Sequence, residues 1–149
     1  MEIVKAKIDN IDVITPLFDS YRVFYGQESN PDVAREFIQS RISNNESVIF
    51  LALDDEGNAL GFVQLYPSFS SVSAARTWVL NDLFVADNAR RMGVAKKLMN
   101  AAKEMALETE VKGLALETAD SNVNAQKLYE SLGYERESGT YHYFLKLQA

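Results

Sequence analysis

The run Arg90-Arg91-Met92-Gly93-Val94-Ala95-Lys96 is where residue types and spacing could do chemistry. It follows an apolar segment, Leu83-Phe84-Val85, and a short polar turn. A helix is expected to start near Arg91. The first N–H groups of a helix have no partner within it, and the helix dipole adds positive potential there. A pyrophosphate can rest on such an end, held by backbone donors. Small residues at Gly93 and Ala95 would let phosphate oxygens approach. Arg90, Arg91, Lys96 and Lys97 set four positive charges within eight residues of a chain whose net charge is −6. The same cluster would also serve as a solvated basic surface. Other phosphate loops are missing: there is no Gly-x-x-x-x-Gly-Lys-Ser/Thr, and no Gly-x-Gly-x-x-Gly after the first strand.

The elements that must position this turn follow from hydrophobic spacing. Residues 2–8 alternate as a strand. Asp9 or Asn10 is placed to cap a helix with Ile11, Ile14, Phe18, Tyr21 and Tyr25 on one face, ended by Gly26. Asn30-Pro31 opens a second helix carrying Val33, Phe37, Ile38 and Ile42. Strands over 47–53 and 59–66 flank the turn Asp54-Asp55-Glu56-Gly57-Asn58, with Pro67 as a stop and 68–73 as a loop. A long strand is expected over 76–85. Val94, Leu98, Ala101, Ala102 and Met105 make the stripe of the next helix. A strand over 113–118 precedes a last helix with Ala125, Leu128, Tyr129 and Leu132, closed by Gly133. Two strands, about 135–138 and 141–147, finish the order β-α-α-β-β-β-α-β-α-β-β. This is one mixed α/β fold.

Composition narrows the chemistry. The chain has 149 residues, ordinary for one domain, with 47% hydrophobic and 24% charged residues. It contains no cysteine and one histidine, so thiolate catalysis, disulfides and a multi-histidine metal centre are not expected. No apolar run reaches the ~18 residues of a membrane helix, and the first residues lack a secretory apolar core. A cytoplasmic location is therefore expected. The acidic balance argues against nucleic acid.

Arg90-x-x-Gly93-x-Ala95, preceded by Asp82-Leu83-Phe84-Val85, resembles the acetyl-CoA signature Arg/Gln-x-x-Gly-x-Gly/Ala of the GNAT (GCN5-related) N-acetyltransferases. Met92 stands at a position that is frequently basic in the family. Leu114 to Leu116, Glu117, Asn122, Ala125, Leu128, Tyr129 and Leu132-Gly133-Tyr134 resemble its later strand and helix. Over the first 70 residues the likeness is one of element order. The resemblance implies a single GNAT-like domain over 1–149, acetyl-CoA as cosubstrate and no metal.

It also implies roles. Leu83, Phe84 and Val85 would pair with the pantetheine amides, beside a bulge near Asn81-Asp82. Arg90, Arg91, Met92, Gly93, Val94, Ala95 and Lys96 would hold the pyrophosphate, and Asn122 would contact the pantetheine arm while capping its helix. Tyr129 matches the family's acid, and packing in a core is its other reading. Glu117 has the spacing of the base in bacterial ribosomal-protein N-terminal acetyltransferases, and a surface ion pair is the alternative. Leu80-Asn81-Asp82-Leu83-Phe84-Val85 is similar to the Leu-Glu-Asp-aromatic-aromatic-Val strand of the diamine and amino-acid acetyltransferase branch. There the glutamate helps hold a proton-accepting water. Asn81 cannot take a proton, so the base is Glu117 or a water chain.

Tyr21, Arg22, Tyr25, Glu28 and Asn81 are the acceptor-side candidates, with core packing the competing reading for the two tyrosines. The expected reaction is acetylation of a small-molecule primary amine such as an amino acid or polyamine. Acetylation of protein N-termini or lysines is the alternative, and a CoA-binding regulator without catalysis is the reading from another class. Tyr141 to Leu147 could pair across a homodimer if they lie at an edge.

Overall fold

The computed structural model describes residues 1–148. They divide into two compact units, Met1–Glu117 and a second from Thr118 onward.

The first unit is built on a five-stranded sheet in the order β1-β2-β3-β4-β5. β1 (Glu2–Lys5), β2 (Val48–Leu53), β3 (Ala59–Ser70) and β4 (Ala75–Val85) are antiparallel neighbours. β5 (Leu114–Ala115) lies parallel to β4 and pairs only with Trp78 and Val79. Helices cover both faces. α1 (Ile11–Phe24) and α2 (Pro31–Ser43) pack on one side, where Ile14, Phe18, Ile38, Ile49, Leu51 and Phe62 form the core. The Asn30 side chain accepts from Val33 N–H and caps α2, a contact of about 1 kcal/mol. α3 (Val94–Glu108) packs on the other side through Val94, Leu98, Met99, Ala102 and Met105.

Gly61 is what lets α3 come so close. A Cβ there would lie 2.8 Å from the Phe84 carbonyl oxygen, 3.1 Å from Val94 Cγ1 and 3.3 Å from Leu98 Cδ1. Residues alternate across a strand, so Gly61, Val63 and Leu65 face α3 while Phe62 and Gln64 face α1. Ring contacts of Phe62 with Phe18 and Tyr21 agree.

The second unit contains α4 (Val123–Ser131), capped by Asn122, whose side chain accepts from Ala125 N–H at 3.1 Å. Gly133 follows with φ +95°, as a helix C-cap requires.

The mixed α/β order holds from β1 through α4, and four expectations need correcting. β3 does not stop at Pro67 but runs to Ser70, with Pro67 opposite Trp78. Beyond Leu65 its pairing with β2 has ended, so it is an edge there, where a residue without N–H is tolerated. The loop expected over 68–73 shrinks to a turn after Ser70. β5 is two residues long, not six, so Glu117 lies beyond the strand rather than at its end. Last, 135–138 and 141–147 form no strands. Tyr141, Tyr143, Phe144, Leu145 and Leu147 are 81–89% exposed. Their alternation names an extended conformation, but a strand needs a ladder for its backbone groups, and none is formed among the described residues.

The Gly61 contacts generate a test. Gly61→Ala forces the methyl group against a backbone oxygen and is expected to cost about 1–3 kcal/mol in urea unfolding. Gly113→Ala, with nothing within 4 Å of its added Cβ, should stay within about 0.5 kcal/mol.

Candidate active site

One extra residue reorganises β4. Gln64 pairs with Asp82, but Leu65 pairs with Leu80, so Asn81 has no opposite number. This is a β-bulge, as anticipated near Asn81-Asp82. A one-residue slip exchanges the faces of a strand. Trp78 and Leu80 therefore point to the α3 side, where Trp78 Nε1 donates to Thr109 Oγ1 at 2.9 Å. Asp82 and Phe84 point to α1, and the Phe84 ring centroid is 5.8 Å from that of Tyr21.

The re-aimed Asp82 is 4% exposed and lies within a polar network. Its Oδ1 accepts from Tyr21 Oη at 2.7 Å and from Asn81 Nδ2 at 2.8 Å. Its Oδ2 accepts from Gln64 Nε2 at 2.5 Å, and Ser47 Oγ donates to Gln64 Oε1 at 2.8 Å. Burial, and then the Asp82 carboxylate, raise the Tyr21 phenol far above its ordinary range. The same causes push Tyr66 up to about 12, against the opposing charge of Arg41. Both phenols therefore remain protonated donors near neutral pH.

Aromatic rings continue outward from this network. Tyr21 meets Tyr25 edge-on at 5.0 Å, and Phe24 lies 6.0 Å from Phe84. Phe24 and Tyr25 are exposed. Tyr21 thus packs against the core as the alternative reading held, whereas Tyr25 does not. Arg22 Nη1 is buried without a hydrogen-bond partner among the described residues. Glu28 stays exposed on the loop between α1 and α2. That loop is tied down by Asp19, which accepts from Ser29 Oγ and Asn30 N–H. Those two hydrogen bonds, with Arg22 nearby, hold its carboxyl below the usual range.

Beyond Val79, β4 has no strand partner on its β5 side among the described residues. Leu83, Phe84 and Val85 lie on that unpaired stretch. The chain then makes a 3-10 turn, Asp87–Ala89, and α3 begins at Val94 rather than near Arg91. Arg91 and Gly93 take φ +66° and +76°, which breaks the helix before that point. Gly93 is the N-cap, with no side-chain cap hydrogen bond, and no acidic residue occupies the first turn. A Cβ at Gly93 would touch nothing, so this glycine supplies a left-handed φ rather than avoiding a clash. Met92, Gly93 and Lys96 are exposed, Ala95 is half-buried and Val94 is anchored in the core. Arg90 pairs with Asp87 at 3.0 Å. Uncapped amides and basic side chains fit a diphosphate.

Glu117 is exposed at the end of the first unit, two residues past β5. Asn122 and Tyr129 belong to the second unit. Asn122 caps α4, and the half-buried Tyr129 has its ring centroid 6.1 Å from that of Tyr134. Burial raises the Tyr134 phenol, with Tyr129 adding to the effect.

Asp82 and Gln64 were missed as site residues in the sequence. Gln64 carried a usable signal, a polar residue within the apolar run Gly61-Phe62-Val63-Gln64-Leu65. A separate cavity of about 320 Å³ sits at the Pro67–Trp78 end of the sheet, away from Val85, with Lys5 its one ionisable lining residue. Among the described residues no cluster of histidine, cysteine, aspartate and glutamate could hold a metal, and no helix is long and apolar enough to cross a membrane.

The comparisons with known proteins agree with this geometry. The model of the acetyltransferase (GNAT) family matches residues 14–134, which takes in parts of both units. An uncharacterized N-acetyltransferase of Bacillus subtilis, YhfO, is 45% identical over 149 residues, covering 100% of this chain and 99% of its own. A probable acetyltransferase of Haemophilus influenzae is 37% identical over 135 residues, covering 91% and 90%. The crystal structure of a probable acetyltransferase superposes with a TM-score of 0.93 at 46% identity, over 100% of this chain and 99% of that one. With a bulged and partly unpaired β4 leading into an uncapped helix, and with relatives alike over their whole length, the chain belongs to the GNAT family of acetyltransferases.

Proposed function

We propose that residues 1–149 act as one cytoplasmic N-acetyltransferase domain, moving the acetyl group of acetyl-CoA to a primary amine of a small molecule by direct attack. The observation that carries the donor half is a conjunction at the end of β4. Among the described residues its β5-side backbone lacks a strand partner beyond Val79, and the helix that follows starts without a side-chain cap. The acceptor half is supported by Asp82, a carboxylate among aromatic rings, which suits a cationic amine. The buried Arg22 Nη1 suits a carboxylate on the same acceptor, as an amino acid would offer.

Acetyl-CoA, when bound, supplies a thioester already activated toward an amine. The protein's own groups do the rest. Amides from Gly93 to Lys96 hold the diphosphate, with Arg90, Arg91 and Lys96 adding charge. Leu83, Phe84 and Val85 align the pantetheine arm by strand-like pairing, and Asn122 contacts it. Glu117 accepts the proton that the ammonium must lose, directly or through water. Tyr129 gives a proton to the departing thiolate. With thiol and phenol pKa values near ~8.5 and ~10 the transfer is uphill by only about 1.5 units, which a modest shift offsets. The exposed aromatic and aliphatic side chains of Tyr141, Tyr143, Phe144, Leu145 and Leu147 support a homodimer.

Coenzyme A release with acetyl-CoA and a panel of polyamines, amino acids, aminoglycosides and peptides tests the reading. Turnover of a small amine is expected. Turnover of peptides alone would transfer the reading to a protein acetyltransferase, and turnover of neither would remove catalysis. Tyr129→Phe should lower kcat by about tenfold or more at unchanged acetyl-CoA affinity. Equal kcat would take Tyr129 out of the mechanism. Glu117→Gln should abolish the acidic limb of the pH–rate profile, and survival of that limb would assign the base elsewhere.

A further inference from the structure

Asp82 has a buried carboxylate that, among the described residues, enters no ion pair and is served by neutral donors alone. An ionised carboxylate can only accept. That constraint fixes the direction of every bond around it. Gln64 must present its nitrogen to Asp82, which leaves its oxygen for Ser47 Oγ. Asn81 must likewise present Nδ2, so its Oδ1 is turned away from Asp82. Tyr21 is held as a donor to the same oxygen.

Asn81 is the bulge residue and is exposed, so the fixed amide oxygen stands at the surface of the bent strand. On the function proposed above, on which this inference rests, the diphosphate sits after Val85 and the arm runs back along Val85 to Leu83. Its acyl end then approaches Asn81. An oxygen presented there accepts from an amine N–H, whereas a flipped amide would oppose that N–H with its own.

We propose that Asp82 is a positioning residue for the acceptor. By locking the Asn81 amide, it presents Asn81 Oδ1 to the primary amine. Asp82 acts through Asn81 and does not itself touch the substrate.

A double-mutant cycle on the best-turned-over amine of the panel tests this. Asp82→Asn, Asn81→Ala and the double variant are compared for amine KM, kcat and acetyl-CoA Kd. Each single change should raise amine KM by about tenfold, with kcat and acetyl-CoA Kd within about threefold of the parent. The double variant should be no worse than the worse single, because coupled residues are not additive. Multiplied effects, or an unchanged amine KM in Asp82→Asn, would overturn the proposal. Should Asp82→Asn not fold, Asn81→Ala still decides: an unchanged amine KM in that variant would overturn the proposal. Turnover of no amine at all would overturn the functional reading with it, whereas turnover with multiplied effects overturns this inference alone.

Discussion

The unpaired residue at Asn81 is the constraint on which the rest of the first unit depends. Without it, Trp78, Leu80, Asp82 and Phe84 would share one face of β4, and Asp82 would be directed toward α3. With it, the first half of the strand serves the α3 face and the second half serves α1. The cost of burying Asp82 is offset by hydrogen bonds from Tyr21, Gln64 and Asn81, since a buried carboxylate is tolerated only when fully bonded. The bulge also marks the region where β4 and β5 part company, and a ligand can take up backbone groups that no strand uses.

The second constraint is the approach of α3 to β3. Gly61 lets Val94 and Leu98 pack directly over the sheet. Val94 is buried while Gly93 and Lys96 on either side remain exposed. The first turn of the helix is therefore anchored by its apolar side and exposed on its amide side. Left-handed backbone at Arg91 and Gly93 makes the bend, so the chain leaves β4 and enters α3 without a side chain capping the helix. Positional rigidity and uncapped donors arise from one short stretch of sequence.

Much of this was legible before the structure. Helix spacing, the Asn30 and Asn122 caps and the Gly133 stop are local signals, and local chemistry decides them. The turn from Arg90 to Ala95 was legible as a strand-to-helix bend, but the left-handed backbone at Arg91 and Gly93 delays α3 to Val94. The rest depends on neighbours. Pro67 reads as a stop, yet β3 passes through it because β2 has already ended. Tyr141 to Leu147 read as a strand, yet alternation cannot supply a pairing partner. Asp82 reads as one member of an alternating strand, and only the slip at Asn81 turns it to Tyr21. The sequence reading placed that slip by likeness to a family, not by any local signal.

Acetyl transfer by this chain requires that the start of α3 and the adjoining edge of β4 hold coenzyme A. Isothermal titration of the protein with free coenzyme A tests it directly. One-to-one saturable binding is predicted, weakened by salt and reduced about tenfold or more in Gly93→Val, where a β-branched residue meets a left-handed φ. Absence of binding, or an affinity indifferent to Gly93→Val, would contradict the account.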